Sequence, residues 1–238
     1  MTIVLYDVPS SLPGKIWNPN VCKARFSLNV KGIPFTTHWV EYPEIEPQSK
    51  KLGALPTRKK ADGSPMYTVP FIHDLSTGAV IADSILIAEY LEKTYPATPK
   101  LFPNGTRALQ AAMGDSIFPT LEVILCVTYP EMMPRFTPAT MDHATPILER
   151  VRTKNRAEDW KKLKECMDKI NGWYARNDES GTYIFGETPT WADIVLAAWL
   201  FYARRALDED SENWKDICSW NDGRWKRFTD AFRRYEGL

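Results

Sequence analysis

Near the start of the chain, apolar positions follow first a strand-like and then a helix-like pattern. TIVLYDV (2–8) is a short apolar, β-branched run, and FTTHWV (35–40) places every second residue on one face, so both predict strands. The stretch between them, 18–32, opens with Asn18 and a proline and ends with Gly32, which are helix start and stop signals. This order predicts a βαβ unit with parallel strands.

Two further apolar runs follow a polar stretch. Residues 48–64 are rich in Lys and Gly and predict a loop. VPFIHD (69–74) and AVIA (79–82) are joined by LSTG, and two short runs joined by such a turn predict a β-hairpin. From Asp83 to about Thr94 the apolar residues recur at helical spacing. The predicted order is therefore β-α-β followed by β-β-α.

The remainder of the chain is predicted to be helical. A proline-rich connector, YPATPKLFPNG, precedes it, and Thr190 and Asp193 stand at the spacing of a capping box. We expect a small α/β domain at residues 1–95, a linker at 96–106 and a larger all-α domain at 107–238. Helical periodicity recurs in residues 107–127, 146–176, 190–206 and 222–235.

Composition and charge narrow the range of partners. The chain has 238 residues with 30 Lys plus Arg and 30 Asp plus Glu, so its net charge gives no reason to expect nucleic acid or a membrane surface as a partner. The N-terminus lacks the features of a signal peptide, and no window approaches about 18 uninterrupted apolar residues, so we expect a cytoplasmic protein. Four scattered cysteines form no spacing suited to zinc, and no metal is expected.

One proline lies inside a strand-like run. TVPFI (68–72) carries Pro70 in its middle, although proline has no N–H for a sheet ladder. This position indicates a special backbone site, with a trans proline on an edge strand as the ordinary alternative. The next helix opens with Asp83 and Ser84, which form either a plain N-cap or a site for a carboxylate at the positive end of the helix.

These features together resemble the cytosolic glutathione transferases. TVPFI, Asp83-Ser84 and the capping box are typical of the whole family, and LPGKIWNPNVCKARFSLNVKGIPF (12–35) is similar to the fungal-specific class A members, which are related to bacterial β-etherases. The resemblance covers essentially the whole chain. It implies a thioredoxin-like N-terminal domain, an all-α C-terminal domain, glutathione as co-substrate and a homodimer.

The resemblance also implies which residues bind glutathione. Val69 would form two backbone hydrogen bonds with the cysteinyl unit, and a cis Pro70 would fix the geometry. Ser84 would donate to the γ-glutamyl carboxylate, and Asp83 would pair with the γ-glutamyl ammonium group. The glycyl carboxylate needs a cation, for which the first candidate is Lys59, and the further candidates are His38, Arg58 and Lys60.

The resemblance leaves more than one candidate for the residue that activates the sulfur of glutathione. Family members place Tyr, Ser or Cys at the start of the first helix, whereas this chain has Asn18-Pro19-Asn20, which argues against a mixed-disulfide mechanism. The side-chain N–H of Asn18 or Asn20 can donate to a thiolate without accepting a proton. Ser11, in the preceding loop, is an alternative donor to the thiolate. It is also open whether Asn18 only caps the helix.

The electrophile is expected to contact TYPEMMPRFTP (128–138). Its aromatic and thioether side chains form either an adaptable substrate wall or a core-packing loop. We expect conjugation of glutathione to small aromatic electrophiles, with peroxide reduction and aryl ether cleavage as further options. A non-catalytic ligandin that carries hydrophobic aromatics such as polyphenols is the alternative. The candidate substrate residues are Tyr129, Met132, Met133 and Phe136.

Overall fold

The computed structural model of the protein describes residues 2–151, 155–177 and 181–237. Its strands are β1 (Ile3–Asp7), β2 (Phe35–Trp39), β3 (Arg58–Lys59), β4 (Pro65–Met66), β5 (Phe71–Asp74) and β6 (Ala79–Ala82). Its α-helices are α1 (Pro19–Val30), α2 (Tyr42–Leu52), α3 (Ser84–Thr94), α4 (Arg107–Leu121), α5 (Ile124–Met132), α6 (Pro138–Val151), α7 (Arg156–Tyr174), α8 (Trp191–Leu207) and α9 (Glu212–Phe232).

The described chain divides into two compact units. One holds the residues up to Leu101 together with Phe136–Asp142, and the other holds Phe102–Arg135 and the described part of His143–Gly237. The domain boundaries predicted from the sequence stay a prediction. Among the described residues, no single helix is long and apolar enough to cross a membrane, although α4 and α5 pass that test as a bent pair. The same residues contain no cluster of His, Cys, Asp and Glu able to hold a metal ion.

The first unit is built on a four-stranded sheet in the order β2-β1-β5-β6. β1 is parallel to β2 and antiparallel to β5, and β5 and β6 form a hairpin, which confirms the predicted βαβ unit and hairpin. Apolar side chains at Ile3 and Leu5 are fully buried. α1 and α3 pack together, and the buried Lys31 joins them through a 3.0 Å ion pair between its Nζ and Glu92 Oε2.

The predicted loop at 48–64 was wrong in part, because α2 and the β3–β4 hairpin extend into it. A capping box between Glu41 and Glu44 starts α2, and Gly53 ends it in the left-handed conformation (φ 79°). Pro47 inside the helix and the density of Lys obscured its pattern. Arg58 pairs with Met66 in the short hairpin that follows.

Three of the predicted long helices differ from the observed ones. The predicted helix 107–127 is α4 and α5, with a bend of 72° between them, where Pro119 removes a backbone N–H from the last turn of α4. The predicted helix 146–176 is α6 and α7, and Asn155 caps α7 by accepting the Glu158 N–H at 3.2 Å. The helix predicted at 222–235 overlaps only the second half of α9. The backbone of α9 departs from helical geometry at Trp220–Gly223, where this overlap begins.

A buried hydrogen-bond network fixes the start of α8 in the second unit. Asp193 Oδ2 accepts the Thr190 N–H at 2.9 Å and its hydroxyl at 2.8 Å, which confirms the capping box. Asp193 Oδ1 accepts the Tyr174 hydroxyl at 2.8 Å and the Ile184 N–H at 2.9 Å. Burial raises the pKa of the Asp193 carboxyl, while its hydrogen bonds act in the opposite direction. Nearly all of α8 is buried, as its apolar sequence predicted.

Candidate functional site

The peptide bond between Val69 and Pro70 is cis and directly precedes β5. The side chain of Val69 belongs to the core, with 7% of the residue exposed. Among the described residues, neither the N–H nor the C=O of Val69 has a hydrogen-bond partner. A buried segment with an unpaired donor and an unpaired acceptor is suited to an extended peptide ligand that supplies both partners.

The start of α3 lies beside this segment. The Asp83 N–H donates to the Pro70 carbonyl at 3.2 Å, so the helix begins where the proline bond is. Asp83 has φ 80°, an uncommon conformation for a residue other than glycine, and backbone strain of this kind occurs often at ligand sites. Its Oδ1 accepts the Ile85 N–H at 3.0 Å, which caps the helix.

Ser84 is the first residue of α3. Its hydroxyl is partly exposed and has no hydrogen-bond partner among the described residues. The N-terminus of a helix carries free N–H groups and a positive partial charge, which together favour an anion. Ser84, the α3 N-terminus and the open backbone of Val69 are therefore close enough in the fold to serve one ligand with a carboxylate and a peptide bond.

Asn18 is the N-cap of α1. Its Oδ1 accepts the N–H groups of Asn20 at 3.0 Å and Val21 at 3.4 Å, and its backbone carbonyl accepts the Cys22 N–H at 2.9 Å. Because the oxygen is held by these two donors, the amide nitrogen Nδ2 faces away from the helix, and it has no partner among the described residues. The residue is 6% exposed, so its amide is a well-oriented donor.

The other sulfur candidates lie in less restrained positions. Asn20 is exposed, and its Oδ1 accepts Lys23 Nζ at 3.0 Å. Ser11 is exposed in a loop that is closed by the Ser10 N–H, which donates to the Lys15 carbonyl at 3.1 Å. The loop and the helix start both belong to the first unit. Of the three candidates, Asn18 is buried and the other two are exposed.

The candidate cations for the far end of the ligand lie on the surface of the first unit. Lys59 is exposed on β3 opposite Pro65 and has no partner among the described residues, whereas Lys60 is paired with Glu46 at 3.1 Å. His38 is exposed on β2, with its ring centroid 5.0 Å from that of Tyr6. A shallow cavity of about 310 Å³ lies beside Lys59 and is lined by Pro56, Thr57, Arg58, Lys59, Gly63 and Pro65.

The four predicted electrophile contacts belong to both units. Tyr129 and Met132 are buried in α5, and Met133 is half-buried directly after it, all in the second unit. Burial raises the pKa of Tyr129 to about 12, so its hydroxyl keeps its proton at neutral pH. Phe136 belongs to the first unit, where its ring centroid lies 4.6 Å from that of Trp17.

Sequence reasoning missed the residues behind the start of α1. Asp7, the last residue of β1, is fully buried and pairs with Arg25 of α1 at 3.0 Å. Burial raises the pKa of Asp7 to about 6, although the Arg25 charge and hydrogen bond act against the rise. The Trp17 indole N–H donates to the Val8 carbonyl at 2.9 Å. The sequence signal that could have indicated this ion pair is an acidic residue at the end of a predicted strand, followed by a basic residue on the next predicted helix.

Known proteins similar to this chain are glutathione S-transferases. Two models of the glutathione S-transferase family match the chain, the N-terminal domain over residues 17–94 and the C-terminal domain over residues 108–235. The chain is 30% identical to the glutathione S-transferase-like protein ustS of Aspergillus flavus, over 95% of this chain and 88% of that protein.

Solved structures of fungal transferases are similar over the full length. A glutathione S-transferase of Ceriporiopsis subvermispora in complex with glutathione has a TM-score of 0.93 and 35% identity, with 100% of this chain and 99% of that chain covered. Glutathione transferase GSTFuA3 of Phanerochaete chrysosporium has a TM-score of 0.92 and 36% identity, with 100% and 98% covered. The predicted fold class is confirmed, and the chain belongs to the glutathione S-transferase family.

Proposed function

We propose that this chain is a glutathione transferase that joins the sulfur of glutathione to small aromatic electrophiles. The observation that carries the proposal is that the Val69 backbone and the neighbouring Ser84 hydroxyl, at the start of α3, have no hydrogen-bond partners among the described residues. One short peptide with a carboxylate at one end satisfies both. Family membership and the glutathione-bound fungal relative support the same ligand.

In this proposal each part of glutathione has a partner in the first unit. The cysteinyl N–H and C=O pair with Val69, and Pro70 shapes that segment. The γ-glutamyl carboxylate accepts the Ser84 hydroxyl at the N-terminus of α3, and Asp83 neutralises the adjacent ammonium group. For the glycyl carboxylate we propose Lys59, which forms no ion pair with any residue that the structure describes, with His38 as the second choice.

The sulfur is activated without a protein base. A thiol with a pKa near 8.5 is mostly protonated at neutral pH, and an amide cannot remove its proton. We propose that the proton leaves to solvent and that Asn18 Nδ2 donates to the resulting thiolate, assisted by the positive end of α1. The thiolate then forms a carbon–sulfur bond with the electrophile, which either loses its leaving group or takes up a proton. Asn20 and Ser11 are the alternative donors.

The electrophile and the setting are finer parts of the proposal. Tyr129, Met132, Met133 and Phe136 are proposed to bind the aromatic ring, because thioether and aromatic side chains adapt to flat ligands. We extend the proposal to peroxide reduction, polyphenol binding and a homodimer, which rest on the family resemblance, and to a cytoplasmic location. A ligandin would bind the same aromatics and would not turn them over.

A conjugation assay with glutathione and a generic aryl electrophile tests the proposal. We expect the wild type to turn over the electrophile. In Ser84→Ala the KM for glutathione should rise by a factor of about 10, because a hydrogen bond to a charged group is lost. Ser116→Ala is the matched control, since Ser116 is an exposed helical serine of the second unit whose hydroxyl donates to the Ala112 carbonyl of its own helix at 2.8 Å. Saturable binding of aromatics without turnover would favour the ligandin.

A further inference from the structure

The Val69 N–H and C=O have no partners among the described residues, although Val69 lies close to the end of strand β1 in the sheet register. β1 and β5 are antiparallel, and their register continued past its last pair sets Val8 opposite Val69. On the other side of the segment, the Pro70 carbonyl accepts the Asp83 N–H. The Pro70 carbonyl is thus occupied on the α3 side, and Val8 is the residue that the continued register sets opposite the unpaired groups of Val69. In an ordinary sheet, Val8 and Val69 would form the next hydrogen-bonded pair.

Side chains occupy both backbone groups of Val8 instead. The Val8 N–H donates to Asp7 Oδ1 at 2.8 Å, and the Val8 carbonyl accepts the Trp17 indole N–H at 2.9 Å. All of these atoms are buried, so the bonds are shielded from water. Val8 therefore has its polar groups satisfied without Val69, which ends the β1–β5 ladder one pair early.

The indole is fixed in this position by packing. Trp17 is 4% exposed, and the Phe136 ring lies against it at a centroid distance of 4.6 Å. Phe136 is itself held by a backbone bridge to Ser10 and by its neighbour Thr137, whose hydroxyl donates to Glu41 Oε2 at 2.8 Å. These contacts all lie within the first unit.

We infer that Trp17 is a positioning residue of the glutathione site: its indole N–H satisfies the Val8 carbonyl, and the Val69 backbone is thereby left free for the cysteinyl unit. The inference rests on the proposed function only for the identity of the ligand. Without the indole, the buried Val8 carbonyl loses its partner, and the Val69 N–H, opposite it in the continued register, becomes its replacement. Glutathione would then have to break that bond before it binds.

Trp17→Phe tests the inference because it keeps an aromatic ring and removes the N–H. We expect slower amide hydrogen exchange at Val69 in the free protein and a Kd for glutathione about fivefold higher, the factor for one net hydrogen bond. The kcat at saturating glutathione should stay within a factor of about two, since the bound complex is unchanged. Trp225→Phe is the control, because Trp225 is a buried tryptophan of the second unit and the change removes its indole hydrogen bond, a partly buried one of 2.7 Å to Asn221 Oδ1.

The exchange measurement separates failure of the inference from failure of the proposed function. Unchanged exchange at Val69 in Trp17→Phe, or the same change in Trp225→Phe, overturns the positioning role whether or not glutathione binds. Slower exchange at Val69 supports the role even where the wild type shows no affinity for glutathione, which would refute the proposed ligand alone. If Trp17→Phe does not fold, Phe136→Leu is measured in its place, because it removes the ring that packs on the indole. Slower exchange at Val69 in this variant then supports the positioning role, and unchanged exchange overturns it.

Discussion

Replacing Asn18 with Asp separates the two tasks assigned to this residue. Asp is as good an N-cap as Asn, and its carboxylate can accept the N–H groups of Asn20 and Val21 as Asn18 Oδ1 does. A negative charge also suits the first turn of a helix. The free energy of unfolding should therefore stay within about 0.5 kcal/mol of the wild-type value.

The same substitution should damage the chemistry. The Nδ2 donor is replaced by an oxygen that repels a thiolate, so a charge-assisted hydrogen bond of about 1.5 to 3 kcal/mol is lost. This loss raises the pKa of the bound thiol by about one to two units and lowers kcat/KM at neutral pH by about 10- to 150-fold. At a pH above the shifted pKa the deficit should shrink, because the thiol ionises without help.

The assay is the pH dependence of kcat/KM, measured with thermal unfolding on the same samples. Asn18→Ser serves as the matched variant, since serine also caps helices and supplies an O–H donor, and it should retain most of the activity. Asn18→Asp with a wild-type pH profile would refute the role of Asn18 and leave it a helix cap. Attention would then turn to Asn20 and Ser11.

Three further predictions concern stability. Lys31→Met should lower the free energy of unfolding by about 3 kcal/mol, because it leaves the Glu92 carboxylate without its buried partner; chemical denaturation measures this, and a loss below about 1 kcal/mol would contradict it. Asp193→Ala removes the acceptor of four hydrogen bonds at the start of α8 and should cost at least about 3 kcal/mol; an unchanged melting temperature would disprove this. The Asp7 carboxyl has a folded pKa of about 6 against 3.8 for the free group, so its stabilising effect is complete below about pH 4 and is lost as the pH rises through 6. Asp7→Asn should therefore remove a fall in unfolding free energy of up to about 3 kcal/mol between those pH values, and parallel stability curves for the two proteins would contradict the pKa.

Local signals in the sequence were sufficient for much of the site. Pro70 in a strand-like run, the Asp83-Ser84 pair and the Asn18-Pro19 helix start each depend on a few adjacent residues, and the structure places each where its pattern predicted. Their roles in binding and catalysis remain predictions. Asn18 is an N-cap in the structure, which fits both of its interpretations.

Features that depend on distant contacts could not be predicted. Trp17 acts on Val8 and is packed by Phe136, which lies more than a hundred positions away in the chain. Periodicity alone does not show that a buried carbonyl will be satisfied by an indole.

The helix α2 was missed for a local reason. Its polar, lysine-rich sequence hid a helix whose start depends on the Glu41 and Glu44 capping box.

In the proposed complex, Val69 and the start of α3 bind the peptide and the γ-glutamyl group of glutathione. Calorimetric titration of the wild type with glutathione and with cysteinylglycine, which lacks the γ-glutamyl group, tests it most directly. We expect saturable binding of glutathione and at least tenfold weaker binding of cysteinylglycine, because Ser84, Asp83 and the α3 N-terminus then have no ligand. Equal affinity for the two peptides, or no heat with glutathione, would contradict this binding mode.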